Sequence, residues 1–311
     1  MDDVDGAEAE CRVCAELSEQ TETGALVRYL EKAKRRASSV AAHPFWTPFW
    51  TPFWTDYADR VRRDPSERIT IEFGGCGLKG YWACGFAHVW EWDRFPFLQY
   101  DGASMGACIA AFVVCRVSTV AWIRSYYELH ALTIHGGMCL SDAVHIVLER
   151  TLPDDAHVLC TGRLGIWVTH VPTMSDKRVV DFASKADLVR WLCTSCHSMY
   201  TAHTPTRGAY MDGMVLRYGD HAVESPTLFI AIHDVATDVC AFSASMPVAR
   251  LIRRGAKDAI RLLRSPTSNR IFRWLPASNP ARSLRSYLDV AWYWAKWAAT
   301  RRDAPQKASN N

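Results

Sequence analysis

The chain has no uninterrupted apolar run of about 18 residues, the length a helix needs to cross a bilayer core. It opens MDDVDGAEAE, with no basic start and no apolar stretch behind it, so no secretory signal peptide is expected. An excess of one charge is missing too: 36 Lys and Arg against 33 Asp and Glu leave a formal charge of +3, too little to argue for a nucleic-acid partner. A disulfide framework is equally absent. The 11 cysteines are odd in number and scattered through apparent core segments, as at Cys84, Cys108 and Cys115, which suits buried free thiols in a reducing compartment. The expectation is an intracellular protein, cytoplasmic or peripheral to a membrane, with no metal and no cofactor.

What is present is a chain long enough, at 311 residues, to bury a large core. Residues 1–66 read as an N-terminal extension, helical over 24-GALVRYLEKAKRRA-37. It ends in a linker, 44-PFWTPFWTPFWTD-56, whose proline at every fourth residue excludes a regular helix or a central strand. Its aromatic rings suit packing on the domain or contact with a lipid interface. From 67 the pattern changes. The alternation of Ile69, Ile71 and Phe73 predicts a strand over 68–73, the glycine-rich 74-GGCGLKG-80 follows, and YWACGFAHVWEW reads as a helix. A second strand, 96-PFLQY-100, leads through Asp101 into GASMG and another helix. Further helices are predicted over 119–133 and 141–150, strands over 163–171 and 178–182, and a short helix from Lys185. Strand, glycine turn and helix occurring twice in succession predict parallel βαβ units and the α/β class.

The small residues around Ser104 let the backbone turn sharply between strand and helix, the geometry of a nucleophile elbow. A serine that simply caps its helix has the same local sequence. The glycine loop is also open to two readings. Gly75, Gly77 and Gly80 fit G-x-G-x-x-G with Asp101 downstream, as in a dinucleotide site, although Asp101 opens the serine turn. Alternatively, the N–H groups of Gly75, Cys76 and Gly77 form an oxyanion hole for a tetrahedral intermediate.

An alternating strand, GGCGLKG, a helix, GASMG and, far downstream, 210-YMDGM-214 together resemble the patatin-like phospholipase family. The segment 156–196, with its G-R-L-G-I strand and S-K-A-D-L helix start, is similar to the adipose triglyceride lipase-like branch. The resemblance covers about residues 68–220. It implies a three-layer α/β/α sandwich with a mainly parallel central sheet. It implies Ser104 as nucleophile, Asp212 as its catalytic partner in a Ser-Asp dyad, and Gly75, Cys76 and Gly77 as the oxyanion loop. The substrate it implies is a lipid ester, met at a membrane or lipid-droplet surface. Met214 departs from the Gly or Ala that follows Asp-Gly in the family, and the Asn-Pro that often comes next is absent. An inactive or catalytically weak patatin-fold protein that binds lipid or a partner protein is the alternative.

Other residues offer competing chemistry. Cys193-Thr194-Ser195-Cys196-His197 has the form of a c-type haem attachment site, and Cys11 and Cys14 with Cys193 and Cys196 could make a four-cysteine zinc site. Asp220 or Asp234 with His221 or His233 would follow the serine in the order of an α/β-hydrolase triad. Beyond the catalytic region, taken as 67–245, residues 246–311 form a basic, Trp-rich helical extension. In 250-RLIRRGAKDAIRLLR-264 one apolar stripe faces away from most of the arginines, which fits either a membrane surface or the protein core.

Overall fold

The computed structural model describes residues 22–38, 59, 62–64, 69–90, 99–197, 207–213, 227–230, 248–264 and 272–275. The Pro-Phe-Trp-Thr repeat, Cys11, Cys14, Met214, Asp220, His221, His233, Asp234 and the Trp-rich 287–302 lie outside these residues. The strands are β1 (Thr70–Phe73), β2 (Gln99–Ala103), β3 (Leu164–His170), β4 (Ser175–Val179), β5 (Tyr210–Asp212), β6 (Thr227–Ile230) and β7 (Phe272–Leu275). The helices are α1 (22–38), α2 (Tyr81–Trp90), α3 (Met105–Val114), α4 (Thr119–His130), α5 (Leu140–Thr151), α6 (Ala156–Cys160), α7 (Lys185–Ser195) and α8 (Val248–Arg264).

The seven strands among the described residues join one sheet in the order β4-β3-β2-β1-β6-β7, with β5 beside β3. Its middle, β3-β2-β1-β6, is parallel. Crossover helices cover such strands, so every residue of β1 is buried, as a parallel strand at the centre of an α/β fold requires. Strands β4, β5 and β7 pair antiparallel with their neighbours. The architecture is α/β with a mainly parallel sheet centre, in agreement with the α/β/α sandwich that the sequence resemblance implies. The strand expected over 178–182 instead spans Ser175–Val179, because it folds straight back on β3 as a hairpin rather than crossing over. At the other boundary β2 continues through Ala103, so Asp101 lies within the strand and not in the turn.

That placement decides what Asp101 does. Its carboxylate is buried and accepts two hydrogen bonds from Arg178, Nε and Nη2, each at 2.7 Å, and a third from Trp167 Nε1 at 3.1 Å. The bidentate pair links β2 to the edge strand β4 across β3, and between them sits Gly165. A Cβ on Gly165 would lie 2.4 Å from Asp101 Oδ1 and 2.5 Å from Arg178 Nε. Gly165→Ala is therefore expected to displace Arg178 and leave a buried carboxylate poorly paired, at a cost of about 3 kcal/mol. Urea denaturation would read this as a lower midpoint, and an unchanged midpoint would show that the pair tolerates the methyl.

The terminal helices supply core as well. Leu26, Leu30, Ala33 and Ala37 of α1 form a buried stripe at helical spacing, and Glu31 reaches His88 of α2 at 3.3 Å. Helix α8 buries Ile252, Ala256 and Ala259 completely and packs along α2. Its single acid, Asp258, is buried there and accepts hydrogen bonds from Trp82 Nε1 at 2.9 Å and from Arg261 at 3.0 Å. Of the two readings of the α8 stripe, packing on the core is the one observed. Among the described residues no helix is long and apolar enough to cross a membrane.

Candidate active site

Strand β2 ends at Ala103, and the next residue, Ser104, takes φ 55° and ψ −137°. A side-chain-bearing residue at positive φ carries about 1–3 kcal/mol of strain and persists only where its surroundings enforce it. The enforcement begins with Gly106, where a Cβ would lie 2.1 Å from the carbonyl oxygen of Phe73 at the end of β1. Helix α3 thus starts directly against the neighbouring strand end, and the chain must reverse within a residue to reach it. Ser104 occupies the N-cap position of α3 but its hydroxyl makes no capping bond. The strained backbone and the unused capping role separate this serine from an ordinary helix cap and match an elbow.

Asp212 approaches from the other direction. Strand β5 lies along the same edge of β3 as β2, beyond the point where β2 stops, and runs antiparallel to β3. Ala103 pairs with Trp167, and Asp212 pairs with the next residue, Val168. The two strand ends therefore converge, and the residues brought together there are Ser104 and Asp212. Both are buried, at 8% and 5% exposure, so a charge at this point lies in a largely water-excluded place. The Asp212 backbone is held on both sides: its N–H donates to the carbonyl of His197 at 3.0 Å, and its own carbonyl accepts from Thr169 Oγ1 at 3.1 Å. Gly213 then passes over β3 so closely that a Cβ would lie 2.2 Å from the carbonyl oxygen of Trp167.

The glycine loop leaves the end of β1, where Phe73 pairs with Gly102 of β2. Gly74 N–H donates to the carbonyl of Ile230 at 2.9 Å, anchoring the loop to β6, and a 3-10 turn over Gly77–Gly80 carries it into α2. Gly77 adopts φ 51°, a left-handed conformation that glycine takes without steric cost. The N–H groups of Cys76 and Gly77 donate to no described residue. Burial pushes the Cys76 thiol up to about 12, so it stays protonated and is a poor nucleophile. The dinucleotide reading fails on Asp101, which is committed to Arg178 inside the sheet and cannot hold a ribose.

The CTSCH segment has a role its string did not suggest. Cys193 and Cys196 are fully buried, and Cys196 Sγ lies 3.7 Å from Cys108 Sγ on α3, which leaves no face for a haem. The Cys196 thiol is held well above its ordinary range, first by that hydrogen bond and by burial, with the nearby Cys108 and Asp212 charges adding. Of its hydroxyls, that of Thr194 bonds back to the Arg190 carbonyl at 2.8 Å, and that of Ser195 reaches the site. Ser195 Oγ accepts a hydrogen bond from the backbone N–H of Ser104 at 2.8 Å and donates one to the carbonyl of Trp167 at 2.8 Å.

An α/β sheet with a strained serine elbow, a glycine loop beside it and an aspartate on a converging strand end defines the class. No profile of a known protein family matches the chain. Individual proteins do. Patatin-like phospholipase domain-containing protein 5 from Homo sapiens is 30% identical over 194 residues, 57% of this chain and 45% of that protein. The 1-acylglycerol-3-phosphate O-acyltransferase Pnpla3 from Mus musculus is 29% identical over 145 residues, 43% of this chain and 35% of its own length. Patatin-like phospholipase domain-containing protein 2 from Rattus norvegicus is 28% identical over 160 residues, 46% and 33% of the two chains. The chain is thus similar, over about half its length, to several patatin-like phospholipase domain-containing proteins. It spans less than half the length of the curated relatives it matches.

Proposed function

We propose that this chain is a lipid acyl hydrolase, a serine esterase that cleaves carboxylic esters of phospholipids or acylglycerols. The observation that carries the reading is the convergence of β2 and β5 on β3, which brings Ser104 and Asp212 together in a buried place. Asp212 takes the hydroxyl proton as Ser104 Oγ bonds to the ester carbonyl carbon. The carbonyl π electrons move onto oxygen, and the N–H groups of Gly75, Cys76 and Gly77 receive that charge. Collapse of the intermediate breaks the bond to the alcohol, which leaves with the proton from Asp212, and Ser104 keeps the acyl group. Water then attacks by the same route and releases the fatty acid.

A carboxylate is a weak base for a hydroxyl, so burial of the pair and a preorganised loop have to compensate. A lipid hydroxyl can replace water in the second half without any change in residue roles. The names of two kinds of relative, the O-acyltransferase Pnpla3 and the omega-hydroxyceramide transacylase, support that variant. The substrate would be met at a membrane or lipid-droplet surface.

The test is covalent. A fluorophosphonate probe should label Ser104 alone, identified by peptide mass, and a short p-nitrophenyl ester should be hydrolysed at a rate that falls to background in Ser104→Ala. Labelling that survives Ser104→Ala would place the nucleophile elsewhere. A folded protein with neither labelling nor turnover would favour the lipid- or partner-binding alternative.

A further inference from the structure

The turn that ends α7 touches both residues of the dyad. Ser195 holds the Ser104 N–H through its hydroxyl, and two residues later the carbonyl of His197 holds the Asp212 N–H. Ser195 has no exposed surface. Its hydroxyl is used in both directions, accepting from Ser104 and donating to Trp167, so the hydrogen position is fixed by the two partners. Trp167 is the residue opposite Ala103 in the β2–β3 pairing, and its carbonyl is also the atom over which Gly213 passes. One side chain therefore joins two backbones, the elbow and the strand that pairs with both β2 and β5, while the His197 carbonyl two residues on holds the segment that carries Asp212.

We infer that Ser195 is a positioning residue for the acyl-transfer reaction, fixing the peptide plane before Ser104 and with it the direction of the nucleophile's Cα–Cβ bond. The inference rests on Ser104 and Asp212 being the dyad. Its physical basis is the conformation at Ser104. With φ at 55° the serine backbone is off its preferred basins, and a strained turn of this kind relaxes unless a specific contact opposes it. Glycine at 106 lets the elbow form, but a clearance only permits a geometry. The hydrogen bond from the Ser104 N–H is directional and imposes it. Because the same hydroxyl binds Trp167, the elbow cannot move away from β3 without breaking one of these two bonds.

Ser195 has no exposed surface to offer a substrate, so its removal is expected to act on the chemical step. Four proteins test this: the parent, Ser195→Ala, Ser195→Cys and Ser195→Thr, each assayed for kcat and KM on a p-nitrophenyl ester and for thermal stability, with Ser104→Ala as the control for the dyad. Ser195→Ala is expected to lower kcat by about 30-fold with KM within about 2-fold, somewhat less than an ångström of misplacement costs. Ser195→Cys keeps the volume but replaces the hydroxyl by a weak donor and acceptor, so it should lose kcat similarly while melting close to the parent. Ser195→Thr restores the hydroxyl and should recover most of the rate. If Ser195→Ala does not fold, the Cys and Thr pair decides the matter alone. Full kcat in Ser195→Cys, or a loss shared by KM and kcat that the hydroxyl of threonine fails to rescue, would overturn the inference while leaving the dyad in place. Turnover that survives Ser104→Ala would overturn the dyad, and the inference with it.

Discussion

Replacing Asp212 by asparagine is expected to lower ester turnover by about 1000-fold or more while the protein keeps its fold. The substitution preserves shape, and the Asp212 backbone is held by His197 and Thr169 through bonds that do not involve its carboxylate. What is lost is the ability to accept the Ser104 proton, because an amide oxygen is far less basic than a carboxylate. Circular dichroism and thermal melting should therefore match the parent while kcat collapses and KM holds, the signature of an interaction made on the way to the transition state. His221→Ala and His233→Ala provide the contrast. Both should stay within a few-fold of the parent, since the proposed dyad has no histidine member. Loss in either equal to that in Asp212→Asn would install a histidine triad in place of the dyad.

The parts of this site that could be read in the sequence are those whose chemistry is local. The elbow is a strand, two small residues, a serine and a helix in unbroken order, and Ser104 sits where that order puts it. The Gly-rich loop likewise follows its strand directly. Ser195 could not be found this way, because its meaning comes from partners at Ser104 and Trp167 that are remote in sequence. Within CTSCH the two cysteines and the histidine suggest cofactor chemistry, whereas burial makes the cysteines core and leaves the Ser195 hydroxyl and the His197 carbonyl as the contacts to the site. Strand β5 is three residues long, too short for any alternation to announce it, and only its pairing with β3 explains why Asp212 arrives beside the elbow. Gly165 shows the same limit. Its place in G-R-L-G-I supports a family resemblance, yet the reason for a glycine there is the ion pair between Asp101 and Arg178, formed across a third strand. The stripe of α8 was ambiguous because a core-facing helix and an interfacial one share the same period, and only its contact with α2 separates them.

Gly77→Val is expected to reduce ester turnover by about 100- to 1000-fold, the scale of losing one oxyanion donor. Gly77 holds φ 51°, where a β-branched side chain is a steric outlier, so valine drives the residue back to negative φ. The peptide between Cys76 and Gly77 must rotate to accommodate that change, and its N–H turns away from the place where the substrate oxygen develops charge. The fold has little reason to follow. Gly74 remains anchored to Ile230, and the 3-10 turn is closed by the bond from Lys79 N–H to the Cys76 carbonyl. Gly77→Ala carries about 1–2 kcal/mol of left-handed strain without the branched clash, so it should fall between the parent and valine. Lys79→Ala separates the oxyanion reading from an anion cradle. An oxyanion loop works through backbone N–H groups and should keep its esterase rate without the lysine, whereas a phosphate site loses a charge that it uses. Calorimetric titration of ATP, GTP and NAD into the parent and Lys79→Ala, alongside esterase rates for all three variants, makes the comparison. Full activity in Gly77→Val together with nucleotide binding that weakens in Lys79→Ala would assign the loop to phosphate and move the oxyanion donors elsewhere. A dead Gly77→Val beside an unaffected Lys79→Ala would tie catalysis to the direction of the Cys76 and Gly77 N–H groups, the one property of this loop that valine changes and the lysine does not.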